Sequence, residues 1–357
     1  MLTSFSAKTF RCFRDLSLCP LARVNLITGA NNCGKTALLE ALFLHVAPTN
    51  PEVAVRLCGF RGFPTSPKGL EEAWTWFFFR RRVSEAAALS STGADGVKRA
   101  LRLSLQSIET AEVGTGDVST MLPMEGHSRP VMAGLRQLVL EYKDSDRTVT
   151  STVTLSEDLR VVKLERAGVQ PFAESVFLTP RHRNLQEDAE RFSDYLERVG
   201  RESELVDVLR ILEPRIKRVV VLASGGMHFL GADAGLGEVI PLSFLGDGLV
   251  RLACIALAIA SASGGLVLID EVENGLYHSA MSRVWQAIGE AARRQNVQVF
   301  ATTHSLECIR AAYEAFSQMG PDEFRLFRLD RNKDDVSAVV YDAETVEAAL
   351  VHGIEVR

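Results

Sequence analysis

The sequence predicts an α/β protein: a parallel sheet covered by helices, joined to an antiparallel β portion and an inserted irregular and helical region. Three observations predict it. An apolar run at Val24–Ile27 enters a glycine-rich turn and leaves as a helical pattern, with Leu38, Leu39, Leu42, Phe43 and Val46 on its repeat. The second half alternates short apolar strands with helical periods, as parallel strands with crossover helices do. Between these parts, residues 135–166 alternate apolar and polar positions and are punctuated by Asp and Ser turns.

The chain has 357 residues, enough for one large domain or two ordinary ones. Hydrophobic residues are 46% and charged residues 24%, so a packed core is expected rather than disorder. A formal net charge of -5 gives no whole-surface basic field, and any nucleic-acid contact needs a local patch. The six cysteines form no CxxC pair and lack zinc-finger spacing, which reads as reduced thiols and a cytoplasmic protein. Met1–Phe5 lacks a basic segment leading into an apolar one, so no signal peptide is expected. The longest apolar run, Leu252–Ala262, has 11 residues against the roughly 20 of a membrane helix. It reads as a buried core helix, with no membrane involvement.

In chain order, Phe5–Leu18 reads as an antiparallel pair leading into the buried strand that starts at Val24. Ala37–Val46 reads as a helix stopped by Pro48 and Pro51. Residues 59–130 look irregular. The meander at 135–166 follows, then a strand at Ser175–Thr179 closed by Pro180. Asn184–Glu213 reads as one or two charged amphipathic helices with Gly200 as a break, too short for a long coiled-coil arm. Val219–Leu222 is a strand and Gly246–Ala262 the apolar helix. Then come a strand at Gly265–Ile269, a helix at Ser279–Arg294, a strand at Val297–Thr302 and a helix at Leu306–Phe316. Residues 1–58 and 172–357 are thus expected to form a core, with 59–171 inserted in it.

Gly29-Ala30-Asn31-Asn32-Cys33-Gly34-Lys35-Thr36 fits G-x-x-x-x-G-K-[ST] between a strand and a helix. The glycines let successive N–H groups face phosphates, and the helix N-terminus adds a favourable dipole. Lys35 is expected to reach the β- and γ-phosphates of ATP, and the Thr36 hydroxyl to bind Mg²⁺. Gly265–Ile269 ends in Asp270 and Glu271. An Asp at a strand end can hold the Mg²⁺ shell, and the following Glu can act as general base on water. His304 follows a strand expected to neighbour that of Asp270, which suits a γ-phosphate sensor. Ser243, Gly246 and Gly248 open the apolar helix as a second anion-binding candidate; an ordinary N-cap with flexible glycines explains them equally well.

The order of these blocks resembles ABC-type ATPase heads of the RecF, chromosome-organising and OLD kind. It looks most like small bacterial AAA-family ATPases with an I-D-E-x-E-N-G-L-x-H block, here Ile269–His278, and an F-A-T-T-H-S block, here Phe300–Ser305. The resemblance covers about 1–50 and 172–316. Ser243–Gly248 departs from the LSGGQ-like signature, and Pro180-Arg181-His182-Arg183 stands where a Gln is usual, leaving Arg181 or Arg183 as a cationic γ-phosphate contact. Lys35 and Asp270 lie 235 positions apart, so an insertion must separate them. The resemblance implies a homodimer with ATP sandwiched between two heads. It also implies a role in DNA transactions or anti-phage defence beside a separate nuclease or toxin effector.

Two rivals remain. An OLD-type nuclease needs a Toprim domain; only 53 residues follow His304, and Asp330, Asp334 and Asp335 are expected in a polar turn. A non-hydrolysing binding module has no use for Glu271. Trp74–Arg82, W-T-W-F-F-F-R-R-R, could contact an effector or nucleic acid, or be core aromatics followed by a solvated basic turn.

Overall fold

The computed structural model describes the chain except residues 49, 64–65, 109–134, 157–160, 166–171, 181–183, 318, 321–322, 334, 352–355 and 357. Strands β1 (Leu2–Phe10) and β2 (Phe13–Leu18) pair antiparallel around the Arg11–Cys12 turn. Strand β3 (Val24–Thr28) is buried along its whole length. Helices α1 (Lys35–Val46), α2 (Glu52–Phe60) and α3 (Pro67–Thr75) follow. Then come β4 (Ala87–Gly93), β5 (Lys98–Ile108), β6 (Leu135–Lys143), β7 (Thr148–Ser156) and β8 (Val161–Glu165). The expected meander is β6–β8. The stretch read as irregular instead holds α3, β4 and β5. Strand β4, A-A-L-S-S-T-G, turns Ala87, Leu89 and Ser91 inward. With alanine and serine inside, its period of two has almost no hydropathic contrast to read.

Next are β9 (Ser175–Leu178), α4 (Leu185–Phe192), α5 (Glu202–Leu209), β10 (Arg218–Ser224), β11 (Met227–Asp233) and β12 (Val239–Pro241). The chain continues through α6 (Leu242–Leu245), α7 (Asp247–Ser261), β13 (Leu266–Ile269), α8 (Met281–Arg294), β14 (Gln298–Thr302) and α9 (Leu306–Phe316). It closes with β15 (Phe324–Asn332), β16 (Asp335–Tyr341) and α10 (Ala343–Val351). Gly200, in the left-handed region at φ 69°, separates α4 from α5, as the sequence suggests. Asp330 lies within β15, paired to Arg328, and not in a polar turn. Asp334 lies outside the described residues.

Among the described residues three sheets result: antiparallel β2-β1-β4-β5-β6-β7-β8, small β10-β11-β12, and β16-β15-β3-β14-β13-β9. In the last, β15, β3, β14, β13 and β9 run parallel and β16 antiparallel. Two cores flank this sheet. Along β13, Leu266 and Leu268 enter the core that α1 shares with the antiparallel sheet, whereas Val267 and Ile269 enter the core built with α7, α8 and α9. A strand covered on both faces must be apolar at every position, which is why Gly265–Ile269 reads as a continuous run. Helix α1 is buried on nearly all sides for the same reason. Among the described residues no helix is long and apolar enough to cross a membrane.

Candidate functional site

The phosphate-binding candidate sits where β3 ends. Gly29 (φ 134°), Asn32 (φ 64°) and Gly34 (φ 104°) carry positive φ and curl Ala30–Cys33 around the start of α1. Only glycine fits at the two ends. A Cβ on Gly29 would lie 2.4 Å from the Leu329 carbonyl oxygen, and one on Gly34 would lie 2.6 Å from Cys12 Sγ. Strand β15 and the β1–β2 turn therefore press the loop into shape from either side. Arg331 Nη1 donates to the Asn32 carbonyl at 3.0 Å. Lys35 Nζ donates to the carbonyls of Gly29 (2.7 Å) and Ala30 (3.2 Å), folded over its own loop.

The two acids stand at the end of β13, beside the loop. Thr36 Oγ1 donates to Asp270 Oδ2 at 2.8 Å. Thr302 Oγ1 donates to Asp270 Oδ1 at 2.6 Å and accepts from the Glu271 N–H at 2.8 Å. Parallel pairing of β13 with β14 supplies this contact, because it puts Thr302 at the same level as the acids. Glu271 adopts φ 50°, a conformation that costs a non-glycine residue about 1–2 kcal/mol. Arg251 of α7 holds the turn from beneath, its Nη2 donating to the carbonyls of Asp270 (2.6 Å) and Glu271 (3.2 Å). The sequence signal for Arg251 was its place as a lone charge in an otherwise apolar helix face.

Thr36 and Asp270 offer hard oxygen donors side by side, which fits Mg²⁺, a cation that takes one or two protein oxygens plus phosphate and water. Lys35, Thr36, Asp270 and Glu271 line one cavity of about 1010 Å³, together with Arg61 and the segment Trp76–Arg81. Within that segment Phe77, Phe78 and Phe79 are buried, as the core reading expects, and Trp76, Arg80 and Arg81 are exposed; all but Phe77 line the cavity. Sequence reading missed this placement, because residues so far from the loop reach it only through the fold. A buried carboxylate backs two of the lining residues: Glu40 of α1 is held by Arg11 and by Arg61, each at 2.7 Å. These contacts raise the Arg61 guanidinium above its usual value despite burial.

Other expected site residues lie elsewhere. His304 does not line the cavity; its Nδ1 sits 3.1 Å from Glu273, which also accepts from the His304 N–H at 3.0 Å. Ser243 lies in the short helix α6, one turn before α7, while Gly246 (φ 140°) caps α7. Gly248 packs on the Asn274–Tyr277 turn, where a Cβ would lie 2.6 Å from the Gly275 carbonyl. Between these two turns Phe244 is 82% and Tyr277 69% exposed. Neither Ser243, Gly246 nor Gly248 reaches the cavity of its own chain. Arg181 and Arg183 lie outside the described residues.

Residues 137–310 match the family described as "AAA domain, putative AbiEii toxin, Type IV TA system", and residues 4–47 match an AAA domain family. An ATP/GTP phosphatase of Helicobacter pylori is 22% identical over 368 residues, covering 97% of each chain. An uncharacterised protein of Methanocaldococcus jannaschii is 32% identical over 114 residues, 32% of this chain and 99% of that one. Among solved structures, an SMC head bound to the C-terminal winged-helix domain of ScpA superposes with a TM-score of 0.51 at 12% identity. It covers 97% of this chain and 99% of its own. A P-loop and an acid pair on parallel strands separated by β14, an antiparallel sheet closing over α1 and the matched AAA segments together give the chain the fold of an ABC-type, SMC-like ATPase head.

Proposed function

We propose that the chain binds ATP with Mg²⁺ in the P-loop cavity and hydrolyses it, with Glu271 as the base that orients water. The observation that carries this reading is the hydrogen-bond chain Thr36–Asp270–Thr302–Glu271, which ties the helix start of the P-loop to the acid pair. Gly29–Thr36 takes the phosphates, with N–H groups facing them. Lys35 leaves the carbonyls of Gly29 and Ala30 for the β- and γ-phosphate oxygens, a stronger charge-assisted pairing. Thr36 and Asp270 hold Mg²⁺, which neutralises phosphate charge when bound. Glu271 accepts the proton of the attacking water, while Glu273 holds His304 just past the end of β14, outside the cavity lining.

The second half of the proposal is a homodimer. Ser243, Gly246 and Gly248 face the γ-phosphate of a partner subunit, so that two ATP molecules lie between two heads. The exposed Phe244 and Tyr277 support this, since large apolar side chains that exposed suit a surface that becomes covered. The cycle of closing and opening drives a separate effector, in a DNA-related or anti-phage process; a head of this fold holding a winged-helix protein supports a protein partner.

Steady-state phosphate release and nucleotide binding, measured together, test the enzyme. Glu271→Gln keeps ATP binding and lowers turnover by about 10²–10⁴-fold. Wild-type turnover in that variant contradicts the assignment.

A further inference from the structure

The P-loop accounts for the triphosphate but leaves the nucleoside without a seat, and the same cavity contains a platform the phosphate chemistry does not use. Trp76 caps α3, and Phe77 and Phe78 after it are fixed to the β1–β2 turn. Phe78 bridges Phe10, the Arg11 N–H donates to the Phe77 carbonyl at 2.9 Å, and the Phe10 and Phe77 rings stack at 6.1 Å. That turn carries Cys12, which presses on Gly34 of the P-loop. The platform is thus rigidly placed relative to the phosphate site. At its surface, Trp76 is 47% exposed and the Arg81 guanidinium lies 4.8 Å over the Trp76 ring, with Arg81 Nε donating to Thr75 Oγ1 at 3.1 Å. Arg80 (φ 52°) and Arg81 (φ 59°) are consecutive left-handed residues. Strain of that kind persists where the surrounding structure imposes it, commonly at ligand sites.

We propose that the Trp76–Arg81 stack is the nucleobase seat, and that it accepts ATP and GTP with similar affinity. A flat guanidinium on an indole offers a π-surface to any purine. Both groups are donors only, so neither can accept a hydrogen bond from the adenine amino group. Stacking reads the face of a base and not its edge. The inference rests on the P-loop reading above.

The test is direct binding of Mg²⁺–ATP, Mg²⁺–GTP and Mg²⁺–tripolyphosphate to the wild-type chain, Trp76→Ala and Trp76→Phe. ATP and GTP are expected to bind within about threefold of each other, because stacking is sequence-tolerant. Trp76→Ala is expected to weaken both about tenfold or more, with tripolyphosphate unchanged and Trp76→Phe close to wild type. Nucleotide should quench tryptophan emission in the wild type and lose that quenching in Trp76→Phe, which retains the ring face. Strong preference for one purine, or nucleotide affinities indifferent to Trp76→Ala, overturns the seat. Loss of single-stranded DNA binding in Trp76→Ala with nucleotide binding intact also overturns it, and assigns the platform to nucleic acid. Failure of the wild type to bind even tripolyphosphate refutes the P-loop reading instead.

Discussion

Gly34 and Gly246 are both glycines with positive φ at the start of a helix, yet their surroundings differ completely. At Gly34 a Cβ would meet Cys12 Sγ at 2.6 Å and the Phe13 ring at 2.9 Å; at Gly246 it would meet nothing within 4 Å. The contrast extends to their regions. The P-loop is enclosed by β15 and the β1–β2 turn, and its Lys35 and Thr36 side chains and the Asn32 carbonyl are paired within the chain. The Ser243–Gly248 turn stands open beside exposed Phe244 and Tyr277. One region is finished by folding. The other lies outside the P-loop cavity, and in the proposed homodimer a second copy completes it.

Substituting the two glycines separates these roles most sharply. Gly34→Ala forces both a clash and an unfavourable backbone, and abolishes nucleotide binding in equilibrium titration. Gly246→Trp costs backbone strain at φ 140° but meets no neighbouring atom, so it destabilises the monomer modestly while leaving ATP binding to the P-loop in place. It blocks the ATP-dependent dimer that light scattering should detect in the Glu271→Gln background. Equal damage to binding from both substitutions would erase the contrast.

Thr302→Val probes the enclosed region more finely. It removes the hydroxyl that serves both Asp270 and the Glu271 N–H, leaving a polar group unpaired at a cost of about 1–3 kcal/mol. Turnover should fall about 10- to 100-fold by the same arithmetic, with KM little changed. A change confined to KM would place Thr302 in binding rather than in positioning Glu271.

The smallest effect is on stability. His45 of α1 is fully buried, its Nε2 within 2.7 Å of Ser91 Oγ, and burial drives its imidazole down to about 3 from 6.5, with Arg99 adding to the effect. The folded state therefore binds fewer protons than the unfolded chain between those values, so stability is lost as pH falls below about 6.5. Denaturant titrations should show a slope of at most about 1.4 kcal/mol per pH unit, flattened in His45→Gln. Asp188, on the helical side, has the opposite sign: burial raises its carboxyl, and its contribution is lost as pH rises.

Legibility in the sequence followed the same divide. The P-loop and acid pair were readable because local chemistry defines them: glycines at forced φ, and an apolar strand ending in two acids. Strands β13 and β14 were readable because both faces are buried; β9, only partly buried, was readable as a short apolar run closed by Pro180. Strand β4 was not, since its inward Ala87 and Ser91 barely differ from its outward residues. Strand β15 was not anticipated either, and its Asp330 was read as part of a turn. Its Arg325, Arg328, Asp330 and Arg331 interrupt the apolar pattern, and Leu329 and Arg331 act on the P-loop only through β3–β15 pairing. The Trp76–Arg81 segment was conspicuous as composition, but its place in the P-loop cavity depends on Phe77 and Phe78 docking against the β1–β2 turn.

The claim that nucleotide is held by one chain and completed by another is tested most directly by mixing two inactive variants. Lys35→Ala loses the phosphate contact and Gly246→Trp loses the face offered to a partner. A mixed dimer contains one composite site with a wild-type P-loop from one subunit and a wild-type Ser243–Gly248 turn from the other, and the introduced indole obstructs only the second site, where the Gly246→Trp homodimer is obstructed at both. Each variant alone should be inactive, and the equimolar mixture should regain ATP hydrolysis. Gly246→Trp hydrolysing ATP at the wild-type rate by itself, with the mixture merely averaging the two, would contradict the account.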